Sequence, residues 1–531
     1  MPEILLSTLN AKYIHAAFGL RYLRANLGEL QARSGILEFD INQKPIDIAE
    51  VILAAQPIIL GLGVYIWNVQ ASTELIEILK RTNPDLCVII GGPEVSYECD
   101  QQEIVRLADY VITGEADLEF AEICRTLIRG EKPSFKIIAA PLPDVDKLQS
   151  PYELYDERDI AHRIIYVEVS RGCPFTCEFC LSSLDIPVRQ FALAPFTAAL
   201  QRLYDRGVRH FKFVDRTFNL NLNISRAILE FFLERWTPGL FVHFEMVPDR
   251  LPEALREIIS RFPPGALQFE VGIQTLNPQI EKNISRRQSH ERMEDNLRWL
   301  REKSGVHIHA DLIAGLPGEN LKSIAAGFDR LLSFHPQEIQ LGILKRLRGT
   351  PIVRHDAEYR MIYCPHPPYE VLKTKDLDFP TLGALRRFAK FWDLYGNSGN
   401  FSGTFELLWT AGGASDSPFE SIWEFSNWLH LQGVKTSGIA LTRQYELLWK
   451  YLTGVRSMRI SAVAPLLIAD YQRSGRSDIP PWLRSFLGTN NAPAASEIKA
   501  ATLPSRQSRH LKRSERPATS STEVIPARGL D

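Results

Sequence analysis

Three of the seven cysteines lie within eight residues, at Cys173, Cys177 and Cys180, in the string VSRGCPFTCEFC. A cubane iron–sulfur cluster needs thiolates that converge on one small volume, and a tight loop with this spacing supplies them. Because only three thiolates are offered, one metal position stays open for a substrate. A zinc knob or a coincidence is the alternative, but zinc would need a fourth Cys or His that the nearby chain does not supply.

The elements that would position this loop come in two α/β series. In residues 1–140, short apolar runs alternate with amphipathic segments, which predicts βαβ units and a Rossmann-like parallel sheet. Glycines follow several of these predicted strands, at Gly63, Gly91, Gly92 and Gly114. Since glycine lets a ligand approach the carboxyl ends of parallel strands, this edge is a candidate binding site.

A second α/β series covers residues 154–348 and begins with the strand that precedes the cysteine loop. Its six predicted strands indicate a partial (β/α)6 barrel of the TIM type, in which the chemistry lies at the carboxyl ends of the strands. Residues 349–487 carry helical periodicity and many aromatic residues, and predict a mainly helical domain. Residues 488–531 have the composition of a disordered tail, and its basic cluster fits a solvated face or an RNA-contacting arm.

Polar residues stand at the predicted strand ends of the barrel. Glu245 ends the third strand, Gln274 the fourth and Asp311 the fifth, with Arg286 in the connection between the last two. Ionic groups at buried strand tips need partners, and a zwitterionic ligand with a ribose would provide them. Asp215 and Asn219 follow the second strand. Helix capping or local ion pairs are the competing explanation for any one of these residues.

Composition limits the class of partner. The chain has 531 residues, a formal net charge of -2 and 45% hydrophobic residues, so nothing global points to nucleic acid or a membrane surface. No apolar run reaches the length of a membrane span, and the first residues do not resemble a secretory signal. Grouped thiolates suit a reducing cytoplasm.

The cysteine motif, with Phe179 before its last cysteine, resembles the signature of the radical S-adenosylmethionine superfamily. The resemblance covers about residues 164–344 and implies a 4Fe–4S cluster whose open iron binds S-adenosylmethionine and cleaves it to a 5′-deoxyadenosyl radical. It also implies that Glu245 contacts the methionine amino group and Arg286 faces the carboxylate. Gln274 and Asp311 would hydrogen-bond the ribose.

The order of IIGGPEVS, DYVITGEAD and the cysteine loop resembles that of cobalamin-binding radical S-adenosylmethionine proteins. The resemblance implies cobalamin on the first domain. The D-x-H-x-x-G loop of many corrinoid proteins is absent: residues 10–19 have another spacing, and His15 is expected to pack rather than to ligate cobalt. A domain that binds nothing is the alternative. The helical region resembles an uncharacterised domain and is expected to cover the barrel mouth.

The resemblance implies a radical enzyme, most simply a cobalamin-dependent methyltransferase that acts on an unactivated carbon of a small molecule. Its electron donor would be a flavodoxin or a ferredoxin. A cobalamin-free enzyme of the methylthiotransferase or cyclase type and a non-catalytic sensor are the alternatives. Cys87, Cys99 and Cys124 do not resemble the additional cluster ligands of methylthiotransferases and are expected to be small buried residues.

Overall fold

The computed structural model describes residues 2–185, 187–410, 417–474, 480–484 and 505–514. The first domain is a parallel sheet of six strands in the order β2-β1-β3-β4-β5-β6. The strands are β1 (Ile4–Asn10), β2 (Ser34–Asp40), β3 (Ile59–Gly63), β4 (Cys87–Gly91), β5 (Tyr110–Thr113) and β6 (Ile137–Ala139), and the helices are α1 (Phe18–Ala25), α2 (Pro45–Ala54), α3 (Val69–Thr82), α4 (Glu103–Leu107) and α5 (Glu119–Ile128).

Alternate residues of these strands enter two separate apolar clusters. Leu5 and Leu9 join the cluster on one face, whereas Ile4 and Leu6 join the cluster on the other. A strand that is apolar on both faces has helices on both sides, which explains the continuous apolar runs in the sequence.

The second domain is another six-stranded parallel sheet, in the order β14-β13-β12-β11-β10-β7, so that spatial order follows chain order as in a (β/α)6 barrel. Its strands are β7 (Ile165–Val167), β10 (His210–Phe213), β11 (Phe241–Met246), β12 (Leu267–Gln274), β13 (His307–Ala314) and β14 (Glu338–Ile343). A short antiparallel ribbon of β8 (Ser170–Arg171) and β9 (Arg189–Gln190) flanks the cysteine loop.

Helices connect these strands, and several begin at a polar side chain that accepts a backbone N–H. Asn221, Ser289 and Asn320 cap three of them in this way. The helices are α6 (Glu157–His162), α7 (Leu193–Asp205), α8 (Leu222–Glu234), α9 (Glu253–Ile259), α10 (Pro278–Asn283), α11 (His290–Lys303) and α12 (Leu321–Leu332).

The C-terminal region starts with a ribbon of β15 (Ile362–Tyr363) and β16 (Val371–Lys373) and continues as helices. They are α13 (Phe379–Tyr395), α14 (Leu407–Thr410), α15 (Pro418–Leu431), α16 (Leu441–Lys450), α17 (Ile460–Arg473), α18 (Pro481–Arg484) and α19 (Ser505–Ser514). Shorter 3-10 helices span Gly28–Arg33, Pro93–Val95, Cys99–Gln101, Val145–Lys147, Tyr152–Leu154, Leu181–Leu184, Phe218–Leu220 and Pro351–His355, and a π-helix spans Tyr451–Val455.

This helical region protects the edge of the second sheet. Ile339 on the edge strand β14 donates its N–H to the Asn397 side chain at 2.9 Å, and its carbonyl accepts from Asn397 at 2.9 Å and from Trp392 at 2.7 Å. The three side-chain contacts replace the hydrogen bonds that a further strand would make. No helix among the described residues is long and apolar enough to cross a membrane.

The structure corrects one expectation about the C-terminal part and leaves another as a prediction. Residues 505–514, within the predicted disordered tail, form helix α19, and Arg506 on it donates to Glu338 at 2.8 Å. This contact supplies a buried carboxylate with a cation, a long-range reason for order that local composition does not reveal. The rest of the predicted tail lies outside the described residues. None of the described residues of the helical region lines the barrel cavity, and the expectation that this region covers the barrel mouth stays a prediction.

Candidate functional site

A cavity of about 250 Å³ opens at the carboxyl ends of the barrel strands. Strands β11, β12 and β13 and the cysteine loop each contribute to its wall. The structure brings together here all eight residues that the sequence predicts for the cluster and S-adenosylmethionine: Cys173, Cys177, Phe179, Cys180, Glu245, Gln274, Arg286 and Asp311.

The backbone of the cysteine loop depends on one glycine. Gly172 has a φ of +91°, and a Cβ there would lie 2.7 Å from the carbonyl oxygen of Asp185. The same carbonyl accepts the N–H of Cys173 at 3.0 Å, so the loop closes on itself just before its first thiol. Any other residue would be strained at this φ, and its Cβ would clash with the carbonyl oxygen of Asp185.

All three thiols are free, and Cys173 and Cys177 are buried. Burial raises the pKa of both buried thiols, and the Arg286 guanidinium opposes the rise at Cys177. Arg286 Nη1 lies 3.6 Å from the Cys177 sulfur, and Nη2 donates to the carbonyl of Gly272. The guanidinium therefore places positive charge against the thiol that would carry negative charge as a cluster ligand.

Glu245 is held by an arginine that sequence reasoning missed. Arg216, in the loop after β10, donates to both carboxylate oxygens of Glu245, at 2.8 and 3.0 Å. Burial raises the pKa of Glu245, and the charge of Arg216 works against that rise. A cationic ligand group at Glu245 would thus share the carboxylate with Arg216.

Gln274 stands at an irregular point of its strand. Its φ is +71°, and the pairing of β12 with β13 shifts between Gly272 and Gln274. A Cβ at Gly272 would lie 2.6 Å from the Gln274 amide nitrogen, so the glycine makes room for that side chain. A bulge that re-aims a polar side chain into a cavity is typical of a functional position.

Asp311 has a buried carboxylate oxygen, Oδ1, without a hydrogen-bond partner among the described residues. His309 Nε2 is 3.3 Å away, within ion-pair distance but outside hydrogen-bond geometry. Burial raises the pKa of Asp311, and His309 opposes the rise. Asp311 lines the barrel cavity, so its carboxylate could accept a hydrogen bond from a ligand hydroxyl or amine.

The inward positions of the barrel carry further charged groups that the sequence analysis did not single out. Glu270 lies 3.0 Å from His243 Nε2 and 3.5 Å from Lys212 Nζ. Burial acts to raise the pKa of Glu270, but the adjacent His243 imidazole and the charges of Lys212 and His309 outweigh it and lower the pKa. The signal was available as alternation of polar and apolar residues, in VHFEM and LQFEVGIQ.

Asp215 and Asn219 have structural partners. The Asp215 carboxylate accepts the N–H of Val169 at 3.1 Å and the Ser170 hydroxyl at 2.5 Å, and burial raises its pKa to about 7. Asn219 donates to the carbonyl of Val247 at 2.9 Å. Both residues fix loops at the barrel mouth, which is the alternative that the sequence left open for them.

A second cavity, of about 270 Å³, lies at the carboxyl ends of the strands of the first sheet. Gly63, Gly91, Gly92 and Gly114 all line it, as the sequence predicts for one binding edge. A Cβ at Gly114 would meet only the carbonyl oxygen of Ala140, at 3.7 Å, so this glycine leaves open space. The wall is largely backbone and apolar side chains, which suits a large planar ligand held by shape.

Charged residues close the side of this cavity that faces the barrel. Arg171 donates to Asp117 at 2.9 Å, to Glu168 at 2.9 Å and to Glu115 at 2.8 Å, and its guanidinium lies 4.5 Å from the Tyr22 ring centroid. Arg171 is two residues before the first cysteine, so one side chain lines the second cavity while its backbone leads into the cysteine loop.

A third cavity, of about 210 Å³, adjoins the other two. It shares Ser182 and Arg216 with the barrel cavity, and Glu168 and Arg171 with the cavity of the first domain. The three spaces therefore form a row across the boundary between the two domains.

His15 lines neither the barrel cavity nor the cavity of the first domain. Its Nδ1 is 2.6 Å from the Tyr166 hydroxyl, and its backbone forms a parallel bridge with Ile164. Burial lowers the pKa of His15. The residue thus joins the first domain to the start of the barrel, in line with the packing role expected for it.

The donor chemistry of the barrel cavity fits an iron–sulfur cluster and S-adenosylmethionine. Three free thiols share a wall with an unsatisfied carboxylate oxygen on Asp311 and a bulged Gln274. Within the described parts of the chain, no three His, Cys, Asp or Glu side chains converge closely enough to hold a single metal ion. Three free cysteines that line one cavity are the ligand type that an iron–sulfur cluster uses.

Comparison with known families identifies the three parts of the chain. Residues 5–124 match the B12 binding domain, residues 167–331 match the Radical SAM superfamily, and residues 357–517 match a family of unknown function, DUF4080. The chain therefore contains a cobalamin-type domain, a radical S-adenosylmethionine domain and a DUF4080 domain. The predicted cofactors, a 4Fe–4S cluster, S-adenosylmethionine and cobalamin, are those of the first two domains.

Two relatives of the chain are named as methyltransferases. The chain is 26% identical over 312 residues to an uncharacterized methyltransferase, PH0819, of Pyrococcus horikoshii, covering 53% of this chain and 65% of that protein. It is 23% identical over 330 residues to the cobalamin-dependent radical SAM methyltransferase TokK of Streptomyces tokunonensis, covering 54% of this chain and 47% of TokK. The chain thus spans about half to two thirds of these relatives' lengths.

Two solved structures share the fold. The cobalamin-dependent S-adenosylmethionine radical enzyme OxsB aligns with a TM-score of 0.58 and 13% identity, over 96% of this chain and 84% of OxsB. The radical S-adenosylmethionine methyltransferase TsrM of Kitasatospora setae aligns with a TM-score of 0.53 and 17% identity, over 67% of this chain and 78% of TsrM. The predicted architecture is confirmed: a Rossmann-like domain, a partial barrel and a helical region.

Proposed function

We propose that this chain is a cobalamin-dependent radical S-adenosylmethionine methyltransferase that acts on an unactivated carbon of a small molecule. The observation that carries the proposal is the row of three adjoining cavities. The thiols line one end, the glycine edge lines the other, and the junction cavity lies between them. A substrate in the junction cavity would face both cofactors, as methyl transfer through a substrate radical requires.

Cys173, Cys177 and Cys180 would hold the cluster in this proposal, and Phe179 would pack beside it. When bound, the cluster supplies the electron that cleaves S-adenosylmethionine, and cobalamin supplies the methyl group. Arg286 would neutralise negative charge at Cys177 and at the methionine carboxylate, because its guanidinium already lies 3.6 Å from the sulfur.

The polar strand ends would orient S-adenosylmethionine. Glu245 would accept from the methionine amino group while it keeps Arg216 in place. The free oxygen of Asp311 and the amide of Gln274 would hydrogen-bond the ribose hydroxyls. These contacts would fix the 5′ carbon relative to the junction cavity, which is the positioning that a short-lived radical needs.

Gly63, Gly91, Gly92 and Gly114 would admit the corrinoid to the edge of the first sheet. None of the residues that line this cavity is a histidine, and His15 is engaged by Tyr166. We therefore propose that no histidine of the protein coordinates cobalt. The Arg171 network would form the boundary between the corrinoid and the substrate.

The proposal also includes an electron donor, a cellular compartment and a class of substrate. A one-electron donor of the flavodoxin or ferredoxin type would reduce the cluster, and the thiols would stay reduced in the cytoplasm. The junction cavity has a volume of only about 210 Å³, which favours a small molecule over nucleic acid as the substrate.

Anaerobic reconstitution with iron, sulfide and hydroxocobalamin tests the proposal. The protein should retain iron and corrinoid through gel filtration, and with S-adenosylmethionine and a strong reductant it should release 5′-deoxyadenosine. Retention of the cluster without corrinoid would favour a cobalamin-free radical enzyme. Retention of both without any cleavage of S-adenosylmethionine would favour a sensor and overturn the enzyme.

A further inference from the structure

Glu178 is a buried carboxylate inside the cysteine loop, between Cys177 and Phe179, and it is only 2% exposed. His355 donates to its Oε2 through Nε2 at 2.7 Å, and the Ser285 hydroxyl donates to its Oε1 at 2.6 Å. Arg354 forms an ion pair with the same carboxylate. A carboxylate this buried is stable only with such partners, so the contacts are strong constraints on the loop.

The backbone of Glu178 is tied to the same two segments. Its N–H donates to the carbonyl of Ile284 at 3.1 Å, and its carbonyl accepts the N–H of Ile352 at 3.0 Å. One residue of the cysteine loop is thus joined to the segment around residue 285 and to the 3-10 helix Pro351–His355, through both its backbone and its side chain.

The contacts of Glu178 connect the cysteine loop to Arg286 and to the start of the C-terminal region. Ser285, with a φ of +54°, directly precedes Arg286, whose guanidinium lies beside Cys177. The 3-10 helix on the other side leads directly into the DUF4080 region, which begins at residue 357. A shift of His355 would therefore move the loop that carries the thiols and the arginine that faces one of them.

We infer that Glu178 and His355 are positioning residues for the cluster, through which the start of the C-terminal region fixes the cysteine loop. The inference rests on the proposed function, in which the three thiols hold a 4Fe–4S cluster. Neither side chain lines the barrel cavity, so both act on the cluster through the loop and not by contact with the reacting groups.

The test compares Glu178→Gln and His355→Gln with Glu38→Gln in the reconstituted full-length protein. Glu38 is a matched control, a buried carboxylate between Arg21 at 2.8 Å and Arg163 at 2.9 Å, far from the cysteine loop along the chain. Glu178→Gln keeps the size of the side chain but turns an amide towards the cationic partners. We expect about tenfold faster loss of iron to a chelator in both loop variants and wild-type kinetics in the control.

A spectroscopic measurement separates positioning from general destabilisation. The change that S-adenosylmethionine causes in the electron paramagnetic resonance spectrum of the reduced cluster should shrink in Glu178→Gln and His355→Gln, return in Glu178→Asp, and stay unaltered in Glu38→Gln. The double variant Glu178→Gln/His355→Gln should lose iron no faster than Glu178→Gln, since both changes remove one contact.

The possible failures are distinguishable. If the wild-type protein takes up no cluster, the proposed function fails and the inference falls with it. If the wild-type protein loads normally and Glu178→Gln matches Glu38→Gln in iron loss and in the spectrum, the inference alone is overturned. Additive effects of Glu178→Gln and His355→Gln would likewise overturn the claim that the two residues act through one contact.

Discussion

The barrel cavity and the cavity of the first domain are similar in size, about 250 and about 270 Å³, but their walls are built in different ways. The barrel cavity is made of side chains: three thiols, three arginines and four carboxylates line it at strand ends and in loops. The cavity of the first domain has a wall of backbone and apolar side chains, and glycines stand at the carboxyl ends of three successive strands around it.

The difference shows how each site would select its ligand. Charged groups that converge on one point discriminate by hydrogen bonds and ion pairs, and the loss of one partner leaves another unsatisfied. A cavity lined by glycines selects its ligand by shape. Substitutions that change the polarity of its wall should therefore be tolerated better than substitutions that reduce its volume. The barrel cavity should therefore respond to single polar substitutions, and the first cavity to added bulk.

The largest effect is expected from the thiols. Cys177→Ala should remove the visible absorption of the reconstituted cluster entirely, while the corrinoid stays bound, because the two walls share no residue. Iron analysis and gel filtration with hydroxocobalamin measure both. Cys364→Ala, a free cysteine outside both cavities, is the control. Retention of about four irons per chain in Cys177→Ala would contradict the ligand assignment.

A larger side chain in the cavity of the first domain should have the opposite effect, with loss of corrinoid and not of iron. A Cβ at Gly63 would make ordinary contacts with Thr8 and Leu20, at 3.4 and 3.6 Å, so Gly63→Ala should be tolerated and Gly63→Leu should fill the cavity. We expect Gly63→Leu to lose corrinoid and keep its full complement of iron.

The control for this change is Gly454→Leu, at a glycine whose Cβ would meet nothing within 4 Å. If Gly63→Leu retained the corrinoid, or lost iron to the same extent, the two cavities would not be the independent sites that the comparison requires. Equilibrium binding of hydroxocobalamin gives the first quantity, and iron analysis gives the second.

The same contrast explains what could be predicted from sequence. The thiols, Glu245, Gln274 and Asp311 were identified because side chains with distinctive chemistry stand at recognisable strand ends. The apolar runs also located the main strands. Strand β6 was missed because three residues have no detectable period, and the ribbon at the cysteine loop for the same reason.

Long-range contacts mark the limit of that approach. Arg216 and Glu245 are 29 residues apart, and Asp215 reaches Val169 over 46 residues, so local sequence contains no sign of either pair. Helix α19 lies in a segment whose composition predicts disorder, and its contact with Glu338 spans 168 residues. Partners of this kind depend on the folded topology and not on spacing.

An intermediate effect is expected from the ribose contacts. Asp311→Ala removes the acceptor that is unsatisfied in the free protein, and should weaken S-adenosylmethionine binding about tenfold, since one such hydrogen bond is worth on the order of 1–3 kcal/mol. Titration calorimetry under anaerobic conditions measures the affinity, with iron content as a check. Asp100→Ala, at an exposed site in the first domain, is the control. Unaltered affinity would assign Asp311 a structural role.

The smallest effect concerns a carboxyl group that the barrel buries without a cationic partner in the described part of the chain. Burial raises the pKa of Glu319 to about 7, against only partial opposition from the Thr275 and Ser323 hydroxyls, which both donate to Oε1. Oε2 has no partner among the described residues. A carboxyl with one bare oxygen in an apolar setting favours its neutral form in the folded protein.

Because the folded protein binds this proton more tightly than the unfolded chain, Glu319 should make the free energy of unfolding fall as pH rises from about 4.5 to about 7. Glu319→Gln mimics the neutral carboxyl and should remove this part of the slope, with a gain on the order of 1–3 kcal/mol at pH 8 and little change at pH 4. Denaturant unfolding at several pH values measures it. Hydrogen exchange should locate the gain in the barrel and leave the first sheet unaffected. A gain of equal size at pH 4 and pH 8 would show that Gln acts through packing and not through the missing charge.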